Sequence, residues 1–277
     1  MASMGQIIFC SMVILIVMFS AIIILVLALT FSNQAAQAVT QNAFPVANLG
    51  QDQLLSCQLV NTVETTFTKV SVTWEKTGMQ GFVYQYVNGG SSLGNQNQEF
   101  SGRTDIFPDE LVKGNVSLLL RSARAEDEGV YTCSADSSKG GGKVNIHLRT
   151  AAYTAPTFTL SERTMTARAD RWFPRPNVTW TDSNRRVLQA TTSMEESSAG
   201  IFRVVSSLPE VNSSQSYTLQ IKNPLVMSTS SAEITGLNVS ANTYFSFSRA
   251  PPALVSFYPS VVAAVACISF LILLILK

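Results

Sequence analysis

The sequence has little of the chemistry on which enzymes depend. Its 277 residues include a single histidine, His147, and contain no HExxH, GxSxG or phosphate-loop motif. Catalytic triads and metal centres built on imidazole are therefore nearly excluded. A formal net charge of +1 gives no basic surface for nucleic acid. We expect a protein that is not an enzyme, has no cofactor, metal or small-molecule substrate, and does not bind nucleic acid.

Charged residues are missing from the start of the chain. The first 51 residues contain no Asp, Glu, Lys or Arg, and an apolar run over residues 7–31 precedes Ala36 and Ala38, whose small side chains fit a signal-peptidase site. We therefore predict a signal peptide over residues 1–38. Because the run is longer than most signals and no basic residue precedes it, an uncleaved anchor is the alternative.

The C-terminal end is also uncharged, from residue 253 to residue 276. We predict a juxtamembrane spacer over residues 241–252, followed over 253–277 by a transmembrane helix or by a lipid-anchor signal. In the second case the small residues Ser240, Ala241 and Asn242 would form the attachment site. Either arrangement is expected to place the protein at the plasma membrane with its functional part, about residues 39–250, outside the cell.

Cysteine is scarce, and only two of the four cysteines lie outside the apolar ends. Cys10 and Cys267 belong to those ends, which leaves Cys57 and Cys133 as the natural disulfide pair. Four N-x-S/T sequons also fall between the ends and agree with an oxidising, extracellular environment. The predicted glycosylation sites are Asn115, Asn177, Asn212 and Asn238.

Residues 39–150 show the pattern of an all-β domain. Apolar residues alternate in QLLSCQL, VSVTWEK and NVSLLLR, which predicts short strands that each bury one face. Cys57, Trp74 and Cys133 then form the cysteine, tryptophan, cysteine series of an immunoglobulin domain, with the indole packed on the disulfide.

The stretch AEDEGVYTC supports the same assignment. Tyr131, two residues before the second cysteine, occupies the tyrosine-corner position, and Asp127 is placed to accept a charge-assisted hydrogen bond from Arg103. Between Trp74 and Cys133 there is room for extra strands around a turn at residues 88–90, which favours the variable type. Glycines 140–142 are expected to form a hairpin turn before the last strand.

Residues 151–240 repeat the pattern with one departure. RWFPRPNVTW places Trp180 like Trp74, and SYTLQI places Tyr217 two residues before a position that should be cysteine but is Leu219. The other cysteine position falls at Ala167. We predict a constant-type domain without its disulfide, which acts as a spacer. The predicted fold class is thus all-β, with two tandem immunoglobulin-like sandwiches between the N-terminal signal and the C-terminal hydrophobic helix.

Taken together, MASMGQIIF, the Cys57, Trp74, Arg103 and D-x-G-x-Y-x-C set, GNVSLLL and RWFPRPNVTW resemble the B-seven and butyrophilin group of T-cell co-signalling ligands. The resemblance implies a cell-surface ligand that engages a receptor on T cells and lowers their activation, proliferation and cytokine output. The inhibitory sign follows from the resemblance alone. A homophilic or heterophilic adhesion molecule of the immunoglobulin superfamily is the main alternative, because the same architecture serves both functions.

Related ligands commonly meet their receptors through the outer face of the sheet that carries Trp74 and Cys133. Strand alternation from these two inward residues predicts which side chains point outward. The predicted partner-binding residues are Thr73, Glu75, Gln85, Thr132, Ser134, Asn145 and His147. Each is individually as consistent with an ordinary solvated strand residue as with a contact.

A further strand is predicted over residues 82–87. Val83, Gln85 and Val87 are predicted to point outward. The remaining residues of the strand, expected to be at least partly buried, are Phe82, Tyr84 and Tyr86.

Overall fold

The computed structural model describes residues 4–32, 35–61, 65–213, 215–236 and 238–248. Helix α1 spans Met4–Ser32 and contains no charged residue. Among the described residues, no helix provides an apolar span sufficient to cross a bilayer. The predicted C-terminal helix or anchor signal over 253–277 lies outside the described residues.

The remaining described chain is mostly β and forms two sandwiches. The strands of the first are β1 (Gln37–Val39), β2 (Val46–Asn48), β3 (Gln53–Leu55), β4 (Gln58–Val60), β5 (Ser71–Lys76), β6 (Tyr84–Val87), β7 (Gly90–Ser91), β8 (Thr104–Asp105), β9 (Leu118–Leu120), β10 (Gly129–Ser137) and β11 (Gly140–Ala151). A six-stranded sheet has the order β2-β11-β10-β5-β6-β7, and it packs against strands ordered β3-β9-β8. Strand β1 pairs with β4, and short 3-10 helices span Gln98–Phe100, Pro108–Lys113 and Ala125–Asp127.

The centre of the first sandwich is the predicted disulfide. Cys57 and Cys133 are bonded and fully buried, which confirms the pairing. Trp74 lies directly opposite Cys133 in the β5–β10 register, and its Nε1 donates to the Val116 carbonyl at 3.0 Å. The buried indole therefore has its one donor satisfied, as a residue at this depth requires.

The β6–β7 hairpin has the predicted turn. The prediction of which side chains point outward holds for Gln85 but not for Val83. Asn88 and Gly89 both have positive φ, 54° and 81°, the geometry of a type I′ turn. Gln85 is paired with the outward residue Thr73 and points outward, as strand alternation predicts. Val83 is buried and does not point outward. The chain leaves the regular ladder at Val83, whose carbonyl accepts from the Gln96 side chain, so simple alternation no longer holds there.

The second sandwich contains nine strands. They are β12 (Thr157–Ser161), β13 (Thr164–Trp172), β14 (Asn177–Asp182), β15 (Val187–Leu188), β16 (Thr191–Glu196), β17 (Phe202–Leu208), β18 (Ser216–Lys222), β19 (Val226–Thr235) and β20 (Asn238–Phe247). One sheet has the order β12-β13-β17-β16 and the other β15-β14-β18-β19-β20.

The core of the second sandwich repeats that of the first without sulfur. Trp180 lies opposite Leu219, as Trp74 lies opposite Cys133, and its Nε1 donates to Ser206 Oγ at 2.9 Å. Ala167 and Leu219 are both buried in this core. A small and a large apolar residue thus take the place of a cystine, and the packing keeps the sandwich closed.

A cystine is expected to form when Ala167 and Leu219 are both replaced by cysteine. Loop closure would contribute about 4 kcal/mol on the chain-entropy model, and the lost packing of Leu219 would offset about 2 kcal/mol. The melting temperature of the second domain should therefore rise in non-reducing buffer only. The control is Ala167→Cys alone, which should give no such rise. If both cysteines remained as free thiols after oxidation of the double variant, positions 167 and 219 would not face each other across the two sheets.

Strand β20 occupies part of the predicted spacer. It spans Asn238–Phe247 and pairs with β19 along its whole length, so the domain extends past residue 240. Phe245 and Phe247 pack on the ring of Tyr153 at centroid distances of 5.1 and 5.6 Å. The triplet beginning at Ser240 therefore lies inside a paired strand, where the alternating apolar and polar residues suit a half-buried edge.

The two sandwiches are connected without a long linker. The Asn48 side chain donates to the Tyr153 carbonyl at 3.0 Å and accepts from the Tyr153 amide at 3.2 Å. Ala152 and Phe173 exchange backbone hydrogen bonds of 3.1 and 2.8 Å. Because backbone groups of the connection are paired on both sides, the first domain is attached through a hydrogen-bonded junction rather than a free segment.

Candidate functional site

The candidate site is the outer face of the six-stranded sheet, which we call the front face. Strand alternation and pairing bring all seven predicted residues to it. Thr132 of β10 lies between Glu75 of β5 and Asn145 of β11, and Thr73 lies between Ser134 and Gln85. Six of the seven predicted residues therefore form two adjacent cross-strand rows, and the seventh, His147, lies opposite Val130 two residues beyond Asn145 on β11.

Polar contacts along these rows hold the side chains in place. Gln85 Nε2 donates to Thr73 Oγ1 at 3.2 Å, and Thr132 Oγ1 donates to Asn145 Oδ1 at 3.0 Å. Glu75 is exposed, and no ion pair to it is found among the described residues. An exposed carboxylate beside ordered hydroxyl and amide groups can accept hydrogen bonds or a cation from a protein partner.

Ser134 contributes less to this surface than the alternation suggests. Its Oγ is buried, and it has no hydrogen-bond partner among the described residues. The side chain is enclosed between its cross-strand neighbours Thr73 and Lys143. A threonine and a long lysine side chain on either side of a serine are enough to shield the smaller hydroxyl.

The structure adds two residues that sequence reasoning missed. Lys143 is exposed, has the same strand phase as Asn145, and was identifiable from alternation alone. Phe44 lies outside any strand, yet its ring stacks on His147 with centroids 4.9 Å apart and planes 23° apart. The backbone holds this pair together, because the His147 amide donates to the Ala43 carbonyl at 2.7 Å. The front face therefore ends in an exposed aromatic pair.

A buried ion pair between Arg103 and Asp127 connects two loops at one end of the first sandwich. Arg103 donates from both terminal nitrogens to Asp127, at 3.1 and 2.5 Å, and also to the carbonyls of Arg121 and Ser122. Tyr131 donates from its hydroxyl to the Asp127 carbonyl at 2.7 Å. Burial, and then the Asp127 charge, raise the pKa of the Tyr131 hydroxyl, so it stays protonated as a donor.

The hydrogen bonds among Arg103, Asp127 and Tyr131 also fix the strand that carries part of the front face. Tyr131 begins the inward series of β10, the strand that also carries Thr132 and Ser134. With the tyrosine ring fully buried and its hydroxyl anchored, β10 is held in register between β5 and β11. The polar rows on the outer face therefore lie on strands that are hydrogen-bonded to their neighbours, and ordered side chains of this kind lose less entropy when a surface binds a partner.

The predicted glycosylation sites lie away from the front face. None of the four sequon asparagines belongs to the six-stranded sheet. Asn115 bridges to Gln58 beside the opposite strands, and its Oδ1 accepts from the Ser117 amide at 3.2 Å. Asn177, Asn212 and Asn238 are exposed on the second sandwich. Glycans at these positions would leave the front face uncovered.

Family models match both domains. The immunoglobulin V-set domain model matches residues 40–150, and the model described as the butyrophilin subfamily 3 member A2-like Ig-C domain matches residues 160–230. These assignments agree with a variable-type sandwich that is followed by a constant-type sandwich.

Curated relatives match over most of the chain. The Rattus norvegicus protein named V-set domain-containing T-cell activation inhibitor 1 is 31% identical over 263 residues, which cover 91% of this chain and 92% of that protein. The Homo sapiens protein of the same name is 32% identical over 244 residues, covering 85% and 86%. A Xenopus laevis CD276 antigen homolog is 29% identical and covers 68% of this chain and 64% of its own. The chain therefore belongs to the family of the V-set domain-containing T-cell activation inhibitor 1 proteins, within the B-seven and butyrophilin group.

Proposed function

We propose that this protein is a cell-surface ligand that binds a receptor on T cells through the front face and lowers T-cell activation, proliferation and cytokine production. The inhibitory sign rests on family membership, since the relatives are named for inhibition of T-cell activation. The protein acts by binding and not by catalysis. Its localisation is the plasma membrane, with both immunoglobulin domains outside the cell.

The observation that carries the proposed binding site is the composition of the front face. An uncompensated carboxylate at Glu75, the ordered Thr73–Gln85 and Thr132–Asn145 pairs and the Phe44–His147 stack share one sheet surface. Protein interfaces combine such aromatic anchors with a polar rim. The predicted glycan of the first domain, at Asn115, lies away from this surface and would leave it open to a protein on a facing cell.

The second domain is proposed to raise the first domain from the membrane. Its three sequons are exposed, and its connection to the first domain is hydrogen-bonded through Asn48 and Tyr153. A glycosylated and firmly attached spacer would present the front face at a fixed height and orientation. It needs no binding site of its own for that role.

Replacing Glu75 and Gln85 together by lysine is expected to weaken receptor binding at least tenfold. Two new positive charges on the front face would repel any partner surface that complements Glu75, and the Gln85–Thr73 hydrogen bond would be lost. The measurement is binding of activated T cells to cells that display the full-length chain. Surface expression should not change, because both side chains point away from the core.

The matched control is Asp109→Lys with Val112→Lys on the 3-10 helix Pro108–Lys113. It changes the net charge by the same amount at two exposed positions away from the six-stranded sheet. This variant should bind like the wild type. Retained binding of the Glu75 and Gln85 variant, or equal loss in both variants, would contradict the assignment of the front face.

The direction of the signal is tested separately. T cells stimulated through their antigen receptor should proliferate less and release less cytokine beside cells that display the wild-type chain. The Glu75 and Gln85 variant should not suppress them. Enhanced proliferation would reverse the sign and keep the ligand class. Clustering of the displaying cells with one another, with no effect on T cells, would favour the adhesion alternative.

A further inference from the structure

The short segment from Ala35 to Val39 lies within the region predicted to include the signal-peptidase site, yet it is part of the first sandwich. Ala36 is 1% exposed and belongs to the hydrophobic core, and its amide donates to the Lys139 carbonyl at 2.8 Å. Strand β1 then continues the segment and pairs with β4, with Gln37 opposite Val60 and Val39 opposite Gln58. The segment therefore packs in the hydrophobic core, pairs with β4, and is hydrogen-bonded to the turn between β10 and β11.

The glycines of the β10–β11 hairpin are shaped to receive this segment. A Cβ atom on Gly142 would lie 2.9 Å from the Ala38 amide nitrogen, closer than real Cβ contacts allow. A Cβ atom on Gly140 would lie 3.3 Å from both the Ala35 Cβ and the Ala36 amide nitrogen, and Gly140 has φ of +98°. The chain turns at Ser138 and Lys139, so these glycines lie in β11 and not in the hairpin turn that the sequence predicts. Without side chains, they leave room for the N-terminal segment to cross β11.

A cut after Ala38 would remove most of these contacts. It would delete Ala36 and two of the three residues of β1, remove the hydrogen bond from the Ala36 amide to the Lys139 carbonyl, and uncover the side of β11 at Gly140 and Gly142. Strand β11 carries Asn145 and His147 of the front face. The loss would therefore loosen the hairpin that leads into the candidate site.

We propose that the mature protein keeps residues 35–39 as the first strand of the V domain, so that the leader is removed N-terminal to Ala35 and not after Ala38. The reaction is hydrolysis of a peptide bond by signal peptidase. Water adds across the bond, which leaves a carboxylate on the leader and a free amino group on the mature chain. Small residues at positions 36 and 38 then reflect packing against β11 rather than recognition by the peptidase.

The direct test uses the full-length chain expressed in secretory cells. The protein is purified from the cell surface, and its N-terminal peptide is identified by mass spectrometry. A first residue after Met1 and no later than Ala35 is expected, and an intact Met1 would overturn the proposal by showing that no leader is removed. A first residue at Val39 would overturn the proposal.

Two aspartate variants give a second, independent readout. Ala36→Asp places a charge in the core and is expected to lower surface expression several-fold, while the N-terminus of the surviving protein stays as in the wild type. Ala35→Asp, next to it and exposed, is the matched control and should express normally. If the cut were after Ala38, Ala36→Asp would occupy the third position before the bond, where a small residue is needed, and the N-terminus would change. That change would overturn the proposal even if the variant folds poorly.

Discussion

Replacement of Cys57 and Cys133 by alanine is expected to lower the free energy of unfolding of the first domain by about 4.5 kcal/mol on the chain-entropy model for a sequence separation of 76 residues. The disulfide connects the two sheets at the point where Trp74 packs. Its loss removes both the covalent constraint and part of the buried core. A change of this size is comparable to the whole stability of a small domain. The full-length variant should therefore fail to reach the cell surface.

The second domain provides the control for this experiment, because the corresponding positions there are Ala167 and Leu219. Mild reduction of the wild-type ectodomain should shift the melting transition of the first domain to lower temperature and leave that of the second in place. Flow cytometry measures surface expression, and differential scanning calorimetry separates the transitions. Normal expression of the alanine variant, or a shift of both transitions on reduction, would contradict the prediction.

Replacement of Arg103 by methionine is expected to destabilise the first domain by about 3–5 kcal/mol, since it leaves a buried carboxylate without its charged partner. Asp127 is 3% exposed, and after the substitution its carboxylate would keep the hydrogen bond from the Arg124 amide at 2.7 Å. The Tyr131 hydroxyl bonds to the backbone of the same aspartate, so the disturbance reaches β10 directly. Chemical denaturation of the ectodomain measures the change.

The matched control for Arg103→Met is Arg121→Met. Arg121 and Asp105 are 3.8 Å apart, and both side chains are 51% exposed, so this ion pair should contribute less than about 1 kcal/mol. Converting Asp127 to asparagine in the Arg103→Met background should recover part of the stability, because it removes the unpaired charge. Equal effects of the two arginine variants would show that burial of the Arg103–Asp127 pair has no special consequence.

Sequence patterns anticipated the parts of the first domain that repeat with strict periodicity. Cys57, Trp74 and Cys133 are all inward, and the alternation that places them also brings Thr132 and Asn145 to the outer face. The prediction for Val83 was wrong because the chain departs from the ladder there and a later segment covers the residue. Phe44 was missed for a related reason, since it belongs to no strand and reaches His147 only through the fold.

The start of the first domain and the end of the second were predicted less well than the strands between them. The NVSANTYFSF stretch alternates like a strand, but its position just before an apolar tail suggested a spacer, whereas the structure pairs it with β19 as β20. Residues 35–38 have the composition of a cleavage site, yet Ala36 is in the core. Strand β20 gains its structure from the adjacent strand β19, and the N-terminal segment gains its structure from β4 and β11, which are distant in sequence. Local composition reveals neither kind of partner.

The sequence by itself determined the fold class, the disulfide and the direction in which most side chains of the six-stranded sheet point. These features follow from residue type and a period of two, which any strand must obey. Only the tertiary structure decided that Phe44 completes the front face, that Ser134 is shielded within it, and that the N-terminal segment packs across Gly140 and Gly142. These depend on contacts between strands and loops that lie far apart along the chain, and such contacts exist only after the two sheets have packed.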